Sequence, residues 1–215
     1  MINSTTGWQN TSIGANSLVT NTIGSYNTAI GYNTGPNLTN YSNTTCLGID
    51  ASATGSDMVR IGNVYVGSIG GFQEWTKFSD KRFKENVKED VPGLSFITLL
   101  HPVTYQLDRE KINDFNGVNE RRRKLKEENR GAEFQVEDKY SPVTTGFIAQ
   151  EVEEAAKKIG YDFSGIDAPK NENDFYGLRY AEFVVPLVKA VQELKAENDA
   201  LKARLDALEA LLKKQ

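Results

Sequence analysis

The sequence predicts an elongated chain of three parts: stacked short β-strands over 1–78, an α+β domain over 79–176, and a parallel coiled coil over 177–215. Three observations carry this prediction. An apolar residue followed by glycine recurs at regular intervals in the first part. Residues 1–49 contain no charged side chain, whereas 49 of the Asp, Glu, Lys and Arg residues follow residue 78. The third part repeats its apolar residues with alternating spacings of three and four, which is typical of coiled coils.

The first part is repetitive, and the repeats predict stacked coils. Gly14, Gly31 and Gly48 follow one another at a constant interval. Thr, Val and Ile favour strands, and Gly and Asn tolerate the positive φ of tight turns. One short coil cannot bury its apolar face alone, but stacked coils can. The alternative is a low-complexity Asn/Thr/Gly linker, and the regular Ile-Gly spacing argues against it.

Residues near the end of the first part predict its last strands and the cover of its core. Residues 58–78 alternate apolar and polar side chains, which predicts one or two final strands. Trp75 and Phe78 are expected to cover the end of the apolar core. Cys46 is the only cysteine, so no intrachain disulfide is possible, and it is predicted to be a small buried apolar residue.

The repeats also resemble a known kind of fibre. The phrase Asn-Thr-Ala-Ile-Gly-Tyr-Asn-Thr at 27–34 is similar to the head repeats of trimeric autotransporter adhesins and of some phage fibres. The resemblance covers residues 8–66. It implies a trimeric left-handed β-roll or β-helix.

The second part reads as α+β. Its predicted elements are a helix over 92–100, a strand over 103–107, a solvated hairpin or short helix within 108–140, a strand over 144–149 and a helix over 150–158. Gly160 suits the end of the last helix. His101 is the only histidine and is interpreted as a capping or packing residue between helix and strand. No Ser/His/Asp triad can be built around it.

The third part carries the seam of a coiled coil over about four heptads. The seam residues are Val184, Leu187, Val191, Leu194, Asn198, Leu201, Leu205, Leu208 and Leu212. The flanking pairs Glu197–Lys202 and Arg204–Glu209 have opposite charge between parallel neighbours. Asn198 favours dimers in simple two-stranded coils, so the seam leaves two or three chains open. The alternative is one amphipathic helix packed on its own domain. Pro186 predicts a kink or a new helix start.

Composition argues against several classes of partner. The net charge is −4, so no nucleic-acid partner is indicated. No apolar run is long enough to span a bilayer and no signal peptide is visible, so no membrane partner is predicted. One cysteine and one histidine argue against a zinc site. No metal and no cofactor are predicted.

Three groups of residues in the second and third parts resemble one family. They are Ser-Asp-Lys-Arg-Phe-Lys-Glu-Asn-Val at 79–87 with Leu-Leu-His-Pro-Val-Thr-Tyr at 99–105, Gly-Phe-Ile-Ala-Gln-Glu-Val at 146–152, and the run from 176 to 194. Together and in this order they resemble the intramolecular chaperone auto-processing domain of phage tail spikes, endosialidases and related fibres. The resemblance implies a homotrimer, and therefore a multi-part trimeric fibre as the fold class.

The resemblance also implies the site. In that family a serine and a lysine five residues later cut the peptide bond before the serine, here Phe78–Ser79 with Lys84 as the base. A lysine is a base only when neutral, and lowering a lysine pKa from about 10.4 to about 7–8 takes about 3–4 kcal/mol of environment. Burial or the cations Lys81 and Arg82 could supply it. Without the resemblance, Ser79 would be read as an N-cap-like serine and Lys84 as a solvated lysine.

The function implied is a C-terminal intramolecular chaperone of a phage tail fibre or spike. It would trimerise, fold its own N-terminal fibre, and release itself as a single-turnover serine endopeptidase. Residues 108–140 would be the arm that grips the fibre. The fibre would stay in the virion and the chaperone would be released in the host cytoplasm. Two alternatives remain: a non-cleaving trimerisation or capping module of a surface adhesin, and a receptor-binding tip whose repeats touch host-surface glycans.

Overall fold

The computed structural model describes residues 3–35, 40–128 and 138–213. The chain divides into two compact units. Unit 1 comprises Met1–Glu74, Thr104–Thr144 and Pro169–Phe175, and unit 2 comprises Trp75–Val103, Thr145–Ala168 and Tyr176–Gln215. The predicted domain boundaries, at 78/79 and 176/177, stay predictions. Within the described residues, no helix is both long and apolar enough to cross a membrane.

The described elements are short strands and helices followed by one long helix. The strands are β1 Thr11–Ile13, β2 Thr28–Ile30, β3 Thr45–Leu47, β4 Val59–Ile61, β5 Val103–Tyr105, β6 Thr144–Gly146, β7 Ile166–Asp167 and β8 Gly177–Leu178. The helices are α1 Leu94–Ile97, α2 Arg109–Phe115, α3 Val118–Glu127, α4 Ala149–Lys158 and α5 Val184–Leu212. Single 3₁₀ turns cover Lys81–Phe83 and Tyr180–Phe183.

Strands β1 to β4 form one parallel sheet in sequence order, and we call residues 3–62 the repeat stack. Thr11, Thr28, Thr45 and Val59 are partners in register. Equivalent positions are 17 apart between the earlier turns and 14 apart at the last turn. The Gly31 N–H donates to Ile13 O of the previous turn at 2.8 Å. The spacing of Gly14, Gly31 and Gly48 in the sequence therefore equals the number of residues in one turn of the stack.

Polar side chains reinforce the backbone pairing between turns. The Oδ1 atom of Asn27 accepts hydrogen bonds from the Thr44 N–H at 3.0 Å and from the Thr44 hydroxyl at 2.7 Å. Its amide nitrogen donates to Tyr41 O at 2.8 Å. Asn27 is fully buried, and a buried amide is tolerated because its polar atoms have partners. This explains why asparagine punctuates the repeats.

The interior of the repeat stack combines buried polar side chains with a small apolar cluster. Its cluster consists of Leu18, Ala29, Cys46, Ala51, Ala53 and Met58. Cys46 is a buried free cysteine, as predicted. The expectation that Trp75 and Phe78 cover an apolar core is wrong, because these side chains are 87% and 78% exposed. Of the final strands predicted within 58–78, a range that the structure describes throughout, only β4 is present.

Helices α2 and α3 pack on the last turn of the stack within unit 1. From here on, the arm means these two helices, which form most of the described part of residues 108–140. Arg109 Nε donates to Val64 O at 3.1 Å, and the Asn113 amide donates to the Tyr65 hydroxyl at 3.1 Å. The sequence predicts a solvated hairpin or short helix within 108–140. The described portion instead forms two helices, and α3 buries Val118 and Leu125 rather than lying solvated. Residues 129–137 lie outside the described part.

Unit 2 is organised around a cluster of aromatic rings. Phe96 is fully buried, and its ring centroid lies 4.9 Å from that of Phe163. Phe163 in turn meets Phe183 edge-on at 4.8 Å, a favoured aromatic geometry. The α4 residues Val152, Ala155 and Ala156 belong to the same cluster. The predicted helix over 150–158 is confirmed, and Gly160 follows it with φ of 67°.

Helix α5 is continuous for 29 residues, which corresponds to about 43 Å. It begins two residues before Pro186, so the predicted new helix start is confirmed and the proline needs no hydrogen-bond donor there. Only Pro186 and Ala190 of this helix are buried. The apolar seam residues are exposed, with Leu201 at 62%.

One interpretation in unit 2 is wrong. His101 does not pack between helix and strand, because its side chain is 76% exposed. Its Nδ1 atom lies 3.8 Å from a Glu151 carboxylate oxygen. Helix α1 ends at Ile97, earlier than the predicted end at residue 100, so His101 also lies beyond the helix rather than at its end.

The stack predicts a specific intolerance at Gly31. Its φ is 138°, and an added Cβ would lie 2.7 Å from the carbonyl carbon and oxygen of Gly48. We expect Gly31→Ala to lower the free energy of unfolding by more than about 1 kcal/mol, measured by urea denaturation of the full chain. Gly67→Ala is the matched control, since nothing lies within 4 Å of the added atom. Equal losses in both variants would contradict the observed pairing.

Candidate functional site

Ser79 and Lys84 lie side by side at the start of unit 2. The Lys84 Nζ atom donates a hydrogen bond to Ser79 Oγ at 2.7 Å. Both side chains are exposed. A spacing of five residues does not guarantee such a contact, and a single 3₁₀ turn between the two residues produces it. The structure thus brings together the two residues that the family resemblance selects.

The turn is held by its own charged residues. Asp80 is the N-cap, and its carboxylate accepts from the Arg82 N–H at 2.9 Å. The Arg82 guanidinium also donates to Asp80, with Nη2 at 2.7 Å. These side-chain and backbone hydrogen bonds from Arg82 lower the pKa of Asp80. Asp80 is therefore paired with Arg82.

Two aromatic rings border the bond between Phe78 and Ser79. The ring centroids of Phe78 and Phe83 are 5.5 Å apart, and the Arg82 guanidinium carbon lies 5.6 Å from the Phe83 centroid. Both rings are largely exposed, Phe83 at 67%. In a single chain the predicted cleavage bond is therefore accessible, and its aromatic neighbours have little cover.

An ion pair within unit 2 anchors the chain just before that bond. Lys77 pairs with Glu182 in the 3₁₀ turn before α5. Glu182 also accepts a hydrogen bond from the Ser164 hydroxyl at 3.2 Å. The hydrogen bond from Lys77 is the main reason why the pKa of Glu182 is lowered. Sequence reasoning missed this contact because the partners are 105 positions apart, and no local pattern marks them.

The arrangement offers a nucleophile next to a basic group. As an ammonium, Lys84 donates to Ser79. As a neutral amine at the same distance, it could accept the hydroxyl proton, which is what activates a serine. Among the described residues, no group of three or more His, Cys, Asp and Glu side chains could hold a metal ion. The two side chains themselves can supply the nucleophile and the base.

This geometry defines a chain segment in which the serine that follows a candidate scissile bond is in contact with a lysine. Residues 79–161 match the family described as chaperone of endosialidase. The match begins at Ser79 itself and supports a chaperone domain with a role in fibre folding. The family is also named as a peptidase, which supports a self-processing type of domain. Neither the curated proteins nor the solved structures contain a significant match to the chain.

The anchor contact gives a prediction for titration. Because the folded-state pKa of Glu182 is lowered, the contact with Lys77 is complete above the ordinary glutamate range and is lost as the pH falls through the lowered value. We expect Lys77→Met to raise the midpoint of Glu182 titration, measured by carboxyl ¹³C chemical shifts. Lys81→Met in the neighbouring turn is the control and should leave the midpoint in place. An unchanged midpoint in Lys77→Met would show that the ion pair is not formed.

Proposed function

We propose that the chain is the end of a phage tail fibre or spike with its C-terminal intramolecular chaperone. Three chains would assemble, the part after residue 78 would guide folding of the repeat stack, and Ser79 and Lys84 would then cut the Phe78–Ser79 bond once. The single observation that carries the proposal is the 2.7 Å contact between Lys84 Nζ and Ser79 Oγ at the first residue of the family match. The fibre would remain in the virion, and the chaperone would be released in the host cytoplasm.

The proposed reaction is an acyl transfer followed by hydrolysis. Neutral Lys84 takes the proton of Ser79 Oγ, and the oxygen attacks the carbonyl carbon of Phe78. The bond from that carbon to the Ser79 nitrogen breaks, and Lys84 returns the proton to the leaving amine. A water molecule then hydrolyses the ester. The products are a fibre ending in the Phe78 carboxylate and a chaperone with a free Ser79 amine.

Exposure of the site fits a reaction that waits for assembly. An exposed lysine is stabilised as the ammonium by water, and only desolvation or nearby positive charge favours the neutral amine. Lys84 and the rings of Phe78 and Phe83 are exposed in the single chain. Neighbouring chains that covered these rings would also remove water from Lys84. Cleavage would then follow assembly rather than precede it.

Contacts within unit 1 support the proposal that the chain's own fibre is the folding client. The arm lies on the last turn of the repeat stack through Arg109 and Asn113. The loop at 169–175 reaches the same turn, since the Asn171 amide donates to Thr54 O at 3.1 Å. Both elements belong to the part of the chain after the proposed cut. After cleavage their hold on the stack would be noncovalent only.

Two partly uncovered apolar columns support self-association, which the proposal takes to be a homotrimer. Along the repeat stack, the equivalent residues Ile13, Ile30 and Ile61 are 56%, 41% and 41% exposed, and Leu47 in the same column is half-buried. Along α5, the seam leucines are exposed over the whole helix, and few of its residues pack within its own unit. Large exposed apolar stripes mark interaction surfaces. Contact with further copies of the chain would cover both columns.

Self-cleavage is tested by the mass of the full chain. We expect two fragments, residues 1–78 and residues 79–215, with Ser79 as the new N-terminus. Ser79→Ala should abolish cleavage because no nucleophile remains. Lys84→Met should slow it by about 10²–10⁴-fold, the usual contribution of a general base. Lys88→Met, which changes an exposed lysine outside the turn, should cleave like the wild type.

The opposite outcome is equally clear. If wild type, Ser79→Ala and Lys84→Met all stay intact in the assembled state, the self-processing proposal is wrong. The chain would then fit the alternative of a non-cleaving trimerisation or capping module. Cleavage that persists in Ser79→Ala would point to an external protease.

Assembly is tested on α5. Leu201 occupies a seam position and is 62% exposed, so Leu201→Asp should place a charge in the interface and shift the trimer towards monomer. Ala203→Asp adds the same charge on the outer face of the same turn and should leave the mass unchanged. Sedimentation velocity at several concentrations distinguishes the two. Identical behaviour of both variants would contradict assembly through this seam.

A further inference from the structure

Equivalent positions of the repeat stack change character at its C-terminal end, after β3 and in β4. Asn16, Asn33 and Asp50 occupy the same position of successive turns and all have positive φ, at 58°, 52° and 56°. Asparagine and aspartate both tolerate this conformation. The first two turns thus keep the position neutral, and the third makes it a carboxylate. Asp50 carries the first charged side chain of the whole sequence.

A second column changes at the same end. Ala29 pairs in register with Cys46, and Cys46 with Arg60. Ala29 and Cys46 are fully buried in the core. Arg60 therefore stands where the earlier turns place small apolar residues, and its Nε atom is buried without a hydrogen-bond partner among the described residues. Nothing in the pairing of strands requires an arginine there.

Arm helix α3 meets the carboxylate. The Asp50 side chain is 1% exposed and forms an ion pair with Arg122, while its Oδ1 atom accepts from the Asn33 amide at 2.5 Å. Arg121, the preceding residue of α3, is also buried. Burial lowers its pKa to about 10, and the charge of Asp50 opposes that shift. Arg122 of the arm therefore pairs with Asp50, and the charge of Asp50 also favours the ionised form of the buried Arg121.

The loop at 169–175 meets the cation. The Arg60 guanidinium carbon lies 5.7 Å from the centre of the Phe175 ring. Burial disfavours ionisation of the neighbouring Asp174, but hydrogen bonds from Thr54 and from backbone N–H groups, together with the charge of Arg60, outweigh it and lower its pKa. The Thr54 hydroxyl donates to Asp174 at 2.7 Å. Asp50 and Arg60 thus each contact a residue that follows the proposed cleavage site, Arg122 and Phe175 respectively.

The contact surface is polar and incompletely filled. A cavity of about 190 Å³ lies between the arm, the loop and the last turn, with Asp50, Asn116 and Phe175 among its lining residues. Ser52 Oγ and Asn116 Oδ1 are buried there without partners among the described residues. If the two surfaces separated, water would form hydrogen bonds with these unpaired polar atoms. The free-energy cost of separating the surfaces is therefore lower than for an apolar interface of the same area. A contact of this kind suits a temporary hold.

We propose that Asp50 and Arg60 are a recognition code that directs the chaperone to the last turn of the repeat stack. This inference rests on the proposed chaperone function and names what the chaperone would recognise, which is the C-terminal end of the uncharged stack. Two residues mark that end: Asp50, at the position of positive φ shared with Asn16 and Asn33, and Arg60, in register with the buried Ala29 and Cys46. Docking on an earlier turn would place Arg122 against Asn33, and a largely buried arginine would then lack a carboxylate. Arm and loop are thereby confined to one turn.

The test measures hydrogen exchange of α3 in the full chain, in a Ser79→Ala background so that the chain stays joined. Asp50→Asn should leave the stack folded, because Asn16 and Asn33 hold the same conformation in earlier turns. We expect Asp50→Asn and Arg122→Gln each to lower the protection of α3 by at least about tenfold. The double variant should be no worse than the worse single variant, since both changes remove one contact.

Matched controls change the same residue types nearby. Asp57→Asn alters an exposed aspartate of the same turn whose carboxylate accepts from Asn43. Arg123→Gln alters the next arginine of α3, which pairs with Glu120 and Glu127 of its own helix. Both should change the protection of α3 by less than about twofold. Unchanged protection in Asp50→Asn and Arg122→Gln, or losses that add in the double variant, would overturn the code.

The same experiment keeps the two proposals apart. Cleavage is scored by mass in parallel samples that retain Ser79. An uncut chain whose α3 protection depends on Asp50 would contradict self-cleavage and support the code. A chain that cuts normally, with α3 protection independent of Asp50, would support self-cleavage and overturn the code.

Discussion

A stack of coils has an open end, and that constraint shapes unit 1. Each turn satisfies its backbone and covers its core with the next turn, so the last turn would present unpaired edge groups and apolar side chains to water. Here the arm and the loop at 169–175 lie on that end. Charged side chains enter the stack at this place, with Asp50 paired to Arg122 and Arg60 set against Phe175. The neutral composition of the earlier turns follows from their pairing with one another.

Unit 2 has the opposite character. Its core is a small cluster of rings around Phe96 and Phe183, and most of α5 extends beyond it with an apolar seam uncovered. Ser79 and Lys84 lie at the surface of this unit, where the chain before Ser79 is held by the ion pair between Lys77 and Glu182. Under the proposed function, this solvated serine–lysine pair would become reactive only once other chains cover it.

Local sequence patterns predicted the secondary-structure elements better than they predicted the candidate site. The helical pattern around α4 and its glycine stop were predictable because they depend on residues close in sequence. Ser79 and Lys84 were selected only through resemblance, since two such residues five apart have no meaning in isolation. Their contact required the 3₁₀ turn capped by Asp80. Trp75 and His101 are exposed, contrary to expectation. The burial of a side chain depends on residues that are distant in the sequence, and a local pattern carries no information about them.

The sequence by itself determined the period of the earlier turns, because the spacing of Gly14, Gly31 and Gly48 equals the length of one turn. It also determined the charge boundary and the heptad stripe of α5, which are properties of composition and periodicity. Only the tertiary structure decided which charges meet. Asp50 and Arg122 are 72 positions apart, and Thr54 and Asp174 are 120 apart. Pairing over such distances is set by how the arm and loop fold back on the last turn, which no sequence window records.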